Sequence, residues 1–445
     1  MGILWGARRA SREHDASAAH QSLASSKLAL VLMIQRAIFI LLALGLLVIP
    51  TIFVGTGADV FRLPKELVFR IEAIALLALL VLVWKPRRRP ELLLTAAIVL
   101  WTLVTTATST NRPLSEESLI TVLSAAVIFL ATCHAAETHA LEFVDVLMVG
   151  CGVNAVIVLL QELRIWSPVP APEGHYGSVG LLGNANDVGT FLVAPAVAAI
   201  VLTITASGRR RWIYSALSLL LAGGIAASAT RTALLAYVAA LFVLAIVQAR
   251  RAALAVGAVF LVVGLVMFVP SMTIGSGVRE IAAAARTRDY PRLFSERLLP
   301  FLAAVEMVRD HPWAGVGPGC FKYHYMPYRL ALATKYPPEW TRGYPMNWGE
   351  VHNDHLQVAA ETGFVGYLLF LGAIALLVYR PATGGLATSH APILRDFARA
   401  LRWPLATAIF VVCLAQFPLE LAAPRLVLLT LGALCVTWDR NDATP

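Results

Sequence analysis

Twelve apolar stretches, most of them close to the length of a bilayer crossing, dominate this chain and restrict what it can fold into. They lie near residues 37–54, 67–84, 92–108, 119–135, 142–162, 188–206, 211–227, 232–248, 252–270, 356–379, 400–416 and 421–438. A crossing helix needs about 20 mainly apolar residues, so twelve of them consume over half of the 445 residues. Only 14% of the residues are charged, against roughly 25% in soluble domains. A soluble enzyme, a disordered chain and a secreted disulfide scaffold are thereby excluded. The expected fold is an all-α polytopic integral membrane protein with about twelve transmembrane helices.

The net charge of +9 is explained by where the basic residues stand, without invoking nucleic acid. Arg8, Arg9, Arg12, Lys27 and Arg36 precede the first span; Lys85 and Arg87 to Arg89, Arg209 to Arg211, and Arg250 with Arg251 follow at alternate connections. Arg380, Arg395, Arg399, Arg402 and Arg440 continue the series, which holds 19 of the 36 Lys and Arg. The positive-inside rule then puts both termini in the cytoplasm and one long segment, roughly 271–350, on the outer side. The first 36 residues are long and polar for a signal region, so the first span is expected to be an uncleaved anchor. Three regions result: residues 1–270 with nine spans, 271–350 as a large outer loop, and 351–445 with three more spans.

The loop's first half alternates cationic and apolar positions, among them Arg279, Arg286, Arg288, Arg292, Arg297 and Arg309, a pattern of helices lying on a membrane surface. Its second half is aromatic, from Trp313 through Phe321, Tyr323, Tyr325, Tyr328, Tyr336, Trp340 and Tyr344 to Trp348. Interfacial anchoring and a wall for sugar rings are both open readings of those side chains. Cys320 stands alone in the loop, and no CxxC or Cys/His zinc spacing occurs in the chain.

Charged groups at membrane depth are costly and raise a functional question by default. The outer-facing set is Arg70, Glu72, Glu162, Asp187, Arg231, Glu361 and Arg425, with the histidines of His352-Asn353-Asp354-His355. An active site is therefore expected on the outer face. Arg231, in Ser228-Ala229-Thr230-Arg231-Thr232-Ala233, opens the eighth span. It reads as a snorkelling anchor or, since basic residues are disfavoured on this side, as a guanidinium fork for an anionic headgroup. Arg297, in Ser295-Glu296-Arg297, is expected to begin a loop helix capped by Ser295. It either pairs with a nearby acid or contributes to the same anion site. His352, where the loop meets the tenth span, is the best candidate for a reacting group, because histidine is the usual base near neutral pH. A metal site from His352, Asp354 and His355 is a weaker alternative, lacking the His-Glu-x-x-His pattern.

These elements resemble the O-antigen ligase/polymerase superfamily of bacterial membrane glycosyltransferases, most closely the lipopolysaccharide O-antigen ligases. Gly183-Asn184-Ala185-Asn186-Asp187 resembles the family's Gly-x-x-Asn element, and Ser228 to Ala233 its Ser-x-x-Arg element. Arg297 and Asp310-His311-Pro312-Trp313-Ala314-Gly315-Val316-Gly317-Pro318-Gly319 resemble its long-loop signature. His352-Asn353, nine residues and Gly363-Phe364-Val365-Gly366 resemble the ligase's closing motif. The loop departs from the pattern in lacking a tryptophan between Leu298 and Ala304.

The resemblance implies a GT-C-like membrane fold in the inner membrane of a Gram-negative bacterium, with a periplasmic loop and a periplasmic active site. The implied donor is a polysaccharide on undecaprenyl diphosphate and the implied acceptor a sugar hydroxyl of lipid A-core, with no cofactor and no metal. His352 is the implied base, and Arg231 and Arg297 the groups on the diphosphate. Asn353, Asp354, His355, Asn186, Arg70 and Glu361 are supporting residues. A polymerase, a protein O-oligosaccharyltransferase and a lipid-linked glycan transporter are the alternatives.

Overall fold

The computed structural model describes residues 29–56, 59–83, 90–169, 178–248, 257, 283–341, 347–379 and 391–437. Among them it is helical throughout, 81% helix with no strand. In chain order the helices are α1 (Ala29–Val48), α2 (Arg62–Val83), α3 (Pro90–Ala107), α4 (Arg112–Glu162), α5 (Ala185–Thr205), α6 (Gly208–Ala227) and α7 (Arg231–Val247). The loop contributes α8 (Tyr290–Leu293), α9 (Leu298–Asp310), α10 (Phe321–Lys335) and α11 (Pro338–Thr341). The remainder is α12 (Asp354–Tyr379), α13 (Ala391–Cys413), a 3-10 turn (Pro418–Glu420) and α14 (Ala422–Thr437).

Of the twelve expected spans, five helices here are long and apolar enough to cross a bilayer: α1, α3, α4, α5 and residues Asp354–Val378 of α12. The shorter α7 and α14 are also apolar. The ninth expected span, 252–270, lies outside the described residues apart from residue 257. Helix α4 merges the two expected spans 119–135 and 142–162 into 51 residues, broken at His139 (φ −124°, ψ 26°). At about 1.5 Å per residue it would be over twice the bilayer core if straight. It turns back instead, because both of its ends meet the same neighbours. Thr121 near one end donates to Glu66 of α2 at 3.0 Å. Near the other, Asn154 accepts from the backbone N–H of Leu181, whose carbonyl in turn accepts from Lys65.

Helix α5 sits at the centre, 83% buried over its apolar window. It is apolar on every side, from Val188 to Leu202, as a helix without a solvent face must be. The peripheral helices show the opposite. Ile74, Val81 and Leu82 of α2, Leu93 and Leu100 of α3, and Phe242 and Ile246 of α7 point outward with most of their surface uncovered. The apolar windows of α3 and α12 are only 22% buried. Belts of this kind are not tolerated against water and are what lipid requires. The chain is a membrane-integral protein.

Over one end of the bundle the loop makes a second, small core from Leu299, Ala303, Met307, Phe321, Tyr325 and Leu332, with Val351 and Ala360 from the approach to and the start of α12. The loop aromatics therefore divide. Phe321 and Tyr325 are core residues, Tyr336 stacks on Trp340, and Trp313 and Tyr323 are exposed. The Gly/Pro turn after α9 is strapped to the break in α12. Val316 and Gly317 donate to the carbonyls of Ala360 and Glu361, and Phe364 donates to Pro312. Gly363 has φ +70° there, and a Cβ on it would lie 2.2 Å from the Trp313 backbone.

Candidate active site

The site is assembled from helix starts that meet at the loop end of the bundle. Asn184 caps α5, its side chain accepting from Asn186 N–H at 2.8 Å, which sets Asp187 in the first turn. Asn186 itself makes its described bond through the backbone. Thr230, preceding Arg231, donates to the carbonyl of Ala185 at 2.9 Å and ties the start of α7 to the start of α5. Gly189 permits the approach: a Cβ on it would lie 2.6 Å from Thr230. Gln416 donates to Thr232 at 2.8 Å, and its carbonyl accepts from Asp354 N–H at 3.2 Å. The starts of α5, α7 and α12 are thus pinned to the end of α13.

Arg297 is half-buried and donates to the carbonyl of Ala415 at 2.7 Å. It is itself the N-cap residue of α9; Ser295 has φ +54° and caps nothing, so the expected Ser295 cap is corrected. Burial, together with the charge of Arg231, lowers the Arg297 guanidinium to about 10, while Asp187 opposes the shift. Arg231 and Arg297 therefore lie within one another's field, and Arg297 stays charged near neutral pH.

His352 adopts φ +60°, a strained backbone for a residue with a Cβ. Its ring is held edge to face between Trp348, at 5.1 Å, and Phe417, at 4.5 Å. Its Nδ1 is buried without a hydrogen-bond partner. Burial and the charges of Arg297 and Arg62 lower the imidazole to about 3. The ring is consequently neutral at any ordinary pH, with a lone pair to offer.

Sequence reasoning missed Arg62. It opens α2, donates to Asp187 and to Glu350, each at 3.2 Å, and rests 5.2 Å above the Phe417 ring that also supports His352. The signal was present, since an arginine on the outer side runs against the same rule that singled out Arg231. Of the supporting residues, Asn353 caps α12 by accepting from Leu356 N–H at 3.0 Å. Asp354 accepts from Leu419 N–H at 3.0 Å, and Glu361 from Gly319 and Phe321 N–H. These three hold loops in place. His355 does not join His352: its nitrogens are engaged by the Phe410 carbonyl and the Tyr367 hydroxyl. Arg70, bonded to Glu66 and Thr121, lines a neighbouring cavity with Asp187, Glu361 and Arg425. Glu72 is separate, buried against Gly45 of α1, and Glu162 accepts from Ser178.

Half-buried arginines beside a neutral imidazole form a place for an anion next to a proton acceptor. The segment that contributes Arg231, Arg297 and His352 also carries a family signature. Residues 216–371 match the O-antigen ligase family. The match spans about a third of the chain, from within α6 to within α12 beyond its break, and upholds the resemblance drawn from the motifs. The ligase family is a glycosyltransferase-like enzyme superfamily that handles lipid-linked polysaccharide and lipid A-core. No curated protein matches the chain.

Proposed function

We propose that the protein is an O-antigen ligase. It transfers a polysaccharide from undecaprenyl diphosphate to a sugar hydroxyl of lipid A-core on the periplasmic face of the inner membrane, within a bundle of about twelve spans whose termini are both cytoplasmic. The observation that carries this reading is the orphaned Nδ1 of His352 inside the field of Arg297 and Arg62.

The acceptor hydroxyl attacks the anomeric carbon, and the bond from that carbon to the diphosphate oxygen breaks. His352 takes the hydroxyl proton. Diphosphate is already a good leaving group and needs its growing charge stabilised, which fixed arginines do without reorganising. Arg231 and Arg297 hold it bidentately, and Arg62, released from Asp187 and Glu350, is a third cation within reach. A single displacement inverts the anomeric centre.

The anion also prepares the base. Burial first, and then the charges of Arg297 and Arg62, hold His352 well below its ordinary value. A bound diphosphate offsets the arginines' part of that shift, so the imidazole becomes more basic when its substrate is present. Lys335 and Arg309, paired with the buried Glu306, take no part in this.

The test uses purified protein in lipid, undecaprenyl-diphosphate glycan, and lipid A-core present or absent. Glycan appearing on lipid A-core, and absent with His352→Ala, supports the ligase. A ladder growing on undecaprenyl without core makes it a polymerase. Donor moved across the bilayer unaltered makes it a transporter. EDTA is expected to leave transfer unchanged.

A further inference from the structure

Arg62 is held by two acids from different parts of the chain. Its Nη2 donates to Asp187 Oδ2 in the first turn of α5, and its Nη1 to Glu350 Oε1 in the approach to α12, each at 3.2 Å. A fixed arginine pair frequently sets two nitrogens of the fork against one carboxylate. Here two single oxygens, placed by separate segments, take the two terminal nitrogens, as two oxygens of a diphosphate would.

Both bonds are loose. A tightly made charge-assisted pair closes to about 2.7–2.9 Å, and Arg425 in the same chain approaches Glu66 at 2.7 Å. The third support of Arg62 is the Phe417 ring, 5.2 Å away, which makes no claim on its N–H groups. The guanidinium can therefore change hydrogen-bond partners and keep its place over the ring.

Asp187 also acts on Arg297, so it stands among the cations of the transfer site. Its side chain is 5% exposed, against 29% for Glu350. A carboxylate buried there repels an incoming anion and occupies a nitrogen that the anion needs. Acids and diphosphate cannot share Arg62, because both of its terminal nitrogens are already engaged.

We propose that Asp187 and Glu350 are an internal competitor for the diphosphate: they hold Arg62 until the donor arrives, yield it, and retake it to expel the spent carrier. Both are positioning residues that act through Arg62. The proposal rests on the ligase reading for the identity of the carrier, whereas the exchange itself needs only a lipid diphosphate. The competitor weakens donor and product alike. Turnover gains, because a carrier gripped by several arginines would otherwise leave slowly.

The probe is undecaprenyl diphosphate, titrated calorimetrically into the full chain in lipid nanodiscs, which needs no transfer. Asp187→Asn is expected to bind it about tenfold more tightly, the scale of one hydrogen bond to a charged group. Asp187→Glu keeps the charge and should stay near the wild type. Glu350→Gln, at the more exposed position, should tighten binding by a smaller factor and reads the same effect if the Asp187 variants fold poorly. Arg62→Gln should weaken binding about tenfold. In the transfer assay Asp187→Asn should lower KM for the donor and kcat together, with a burst of one turnover before slow release.

Unchanged or weaker binding by both Asp187→Asn and Glu350→Gln overturns the proposal. So does unchanged binding by Arg62→Gln, or equal tightening by Asp187→Glu, which would assign the effect to packing. Tighter binding by the two neutral variants without transfer by any form keeps the competitor and removes the ligase reading. Transfer with none of these changes in affinity does the reverse.

Discussion

His352 and Phe417 meet edge to face, their ring centroids 4.5 Å apart and their planes at 90°. The contact joins the loop end of α12 to the turn before α14, two segments 65 residues apart in sequence. It also couples the imidazole to Arg62, whose guanidinium lies over the same phenyl ring. Phe417→Leu removes the aromatic edge and the cation–π face together, at a cost of about 0.5–2 kcal/mol in local order. Transfer by this variant should fall through kcat more than through KM for the donor, as steady-state kinetics would show. An unchanged kcat removes the ring from the positioning of His352.

His352→Ala should reduce transfer by about 10²–10⁴-fold, the usual contribution of a positioned base, without loss of folded protein by gel filtration. Near-normal transfer removes His352 from the mechanism.

The same residue links folding to pH. Its folded-state pKa, about 3, lies below the ordinary 6.5. Between these values the unfolded chain binds the proton more readily, so stability rises with pH. The contribution is complete above about 6.5 and is lost as pH falls toward 3. Thermal unfolding of the wild type should therefore lose Tm more steeply between pH 6.5 and 4 than that of His352→Gln. Parallel curves would sink the assignment. Added undecaprenyl diphosphate should raise the His352 pKa, read from the imidazole resonances of labelled protein.

Arg297→Lys keeps a charge near the Ala415 carbonyl but loses the planar fork. A drop of about tenfold or more in kcat/KM is expected, and roughly 10²–10³-fold for Arg297→Ala, the range seen when one preorganised charge-stabilising donor is removed. Equal activity of the Lys variant and the wild type rules out bidentate contact with the diphosphate.

Gly363→Ala and Gly372→Ala should shift stability in opposite directions. At Gly363 the backbone has φ +70°, and a Cβ would strike the Trp313 backbone at 2.2 Å. At Gly372 the nearest atom is Leu94 Cδ1, at 3.6 Å. The first substitution should cost more than about 1 kcal/mol, and the second should be neutral or slightly stabilising. Denaturation midpoints of the two variants decide it.

What the sequence determined by itself is what depends on local pattern. Apolar runs of bilayer length require helices, because no other isolated segment satisfies its own backbone in lipid. Asn184 and Asn353 announce the starts of α5 and α12 through their own side chains. Arg231 drew attention because a charge on the outer side of a basic-inside chain needs a reason, and His352 because histidine is the usual base near neutral pH. Tertiary structure decided which residues meet. The turn-back of α4 at His139 falls between the expected spans 119–135 and 142–162; what tertiary structure decided is that helix runs up to it from both sides, without an intervening loop. Only the folded chain separates Asn353, Asp354 and Glu361, which hold loops, from His352, and sends His355 to Phe410. Arg62 joins the site from a helix start more than 200 residues before Arg297, through Asp187, Glu350 and Phe417. Charge and hydropathy act along the chain and are visible in its order. Ion pairs, ring contacts and cavities are made between segments and exist only once α2, α5, α12 and α13 are packed.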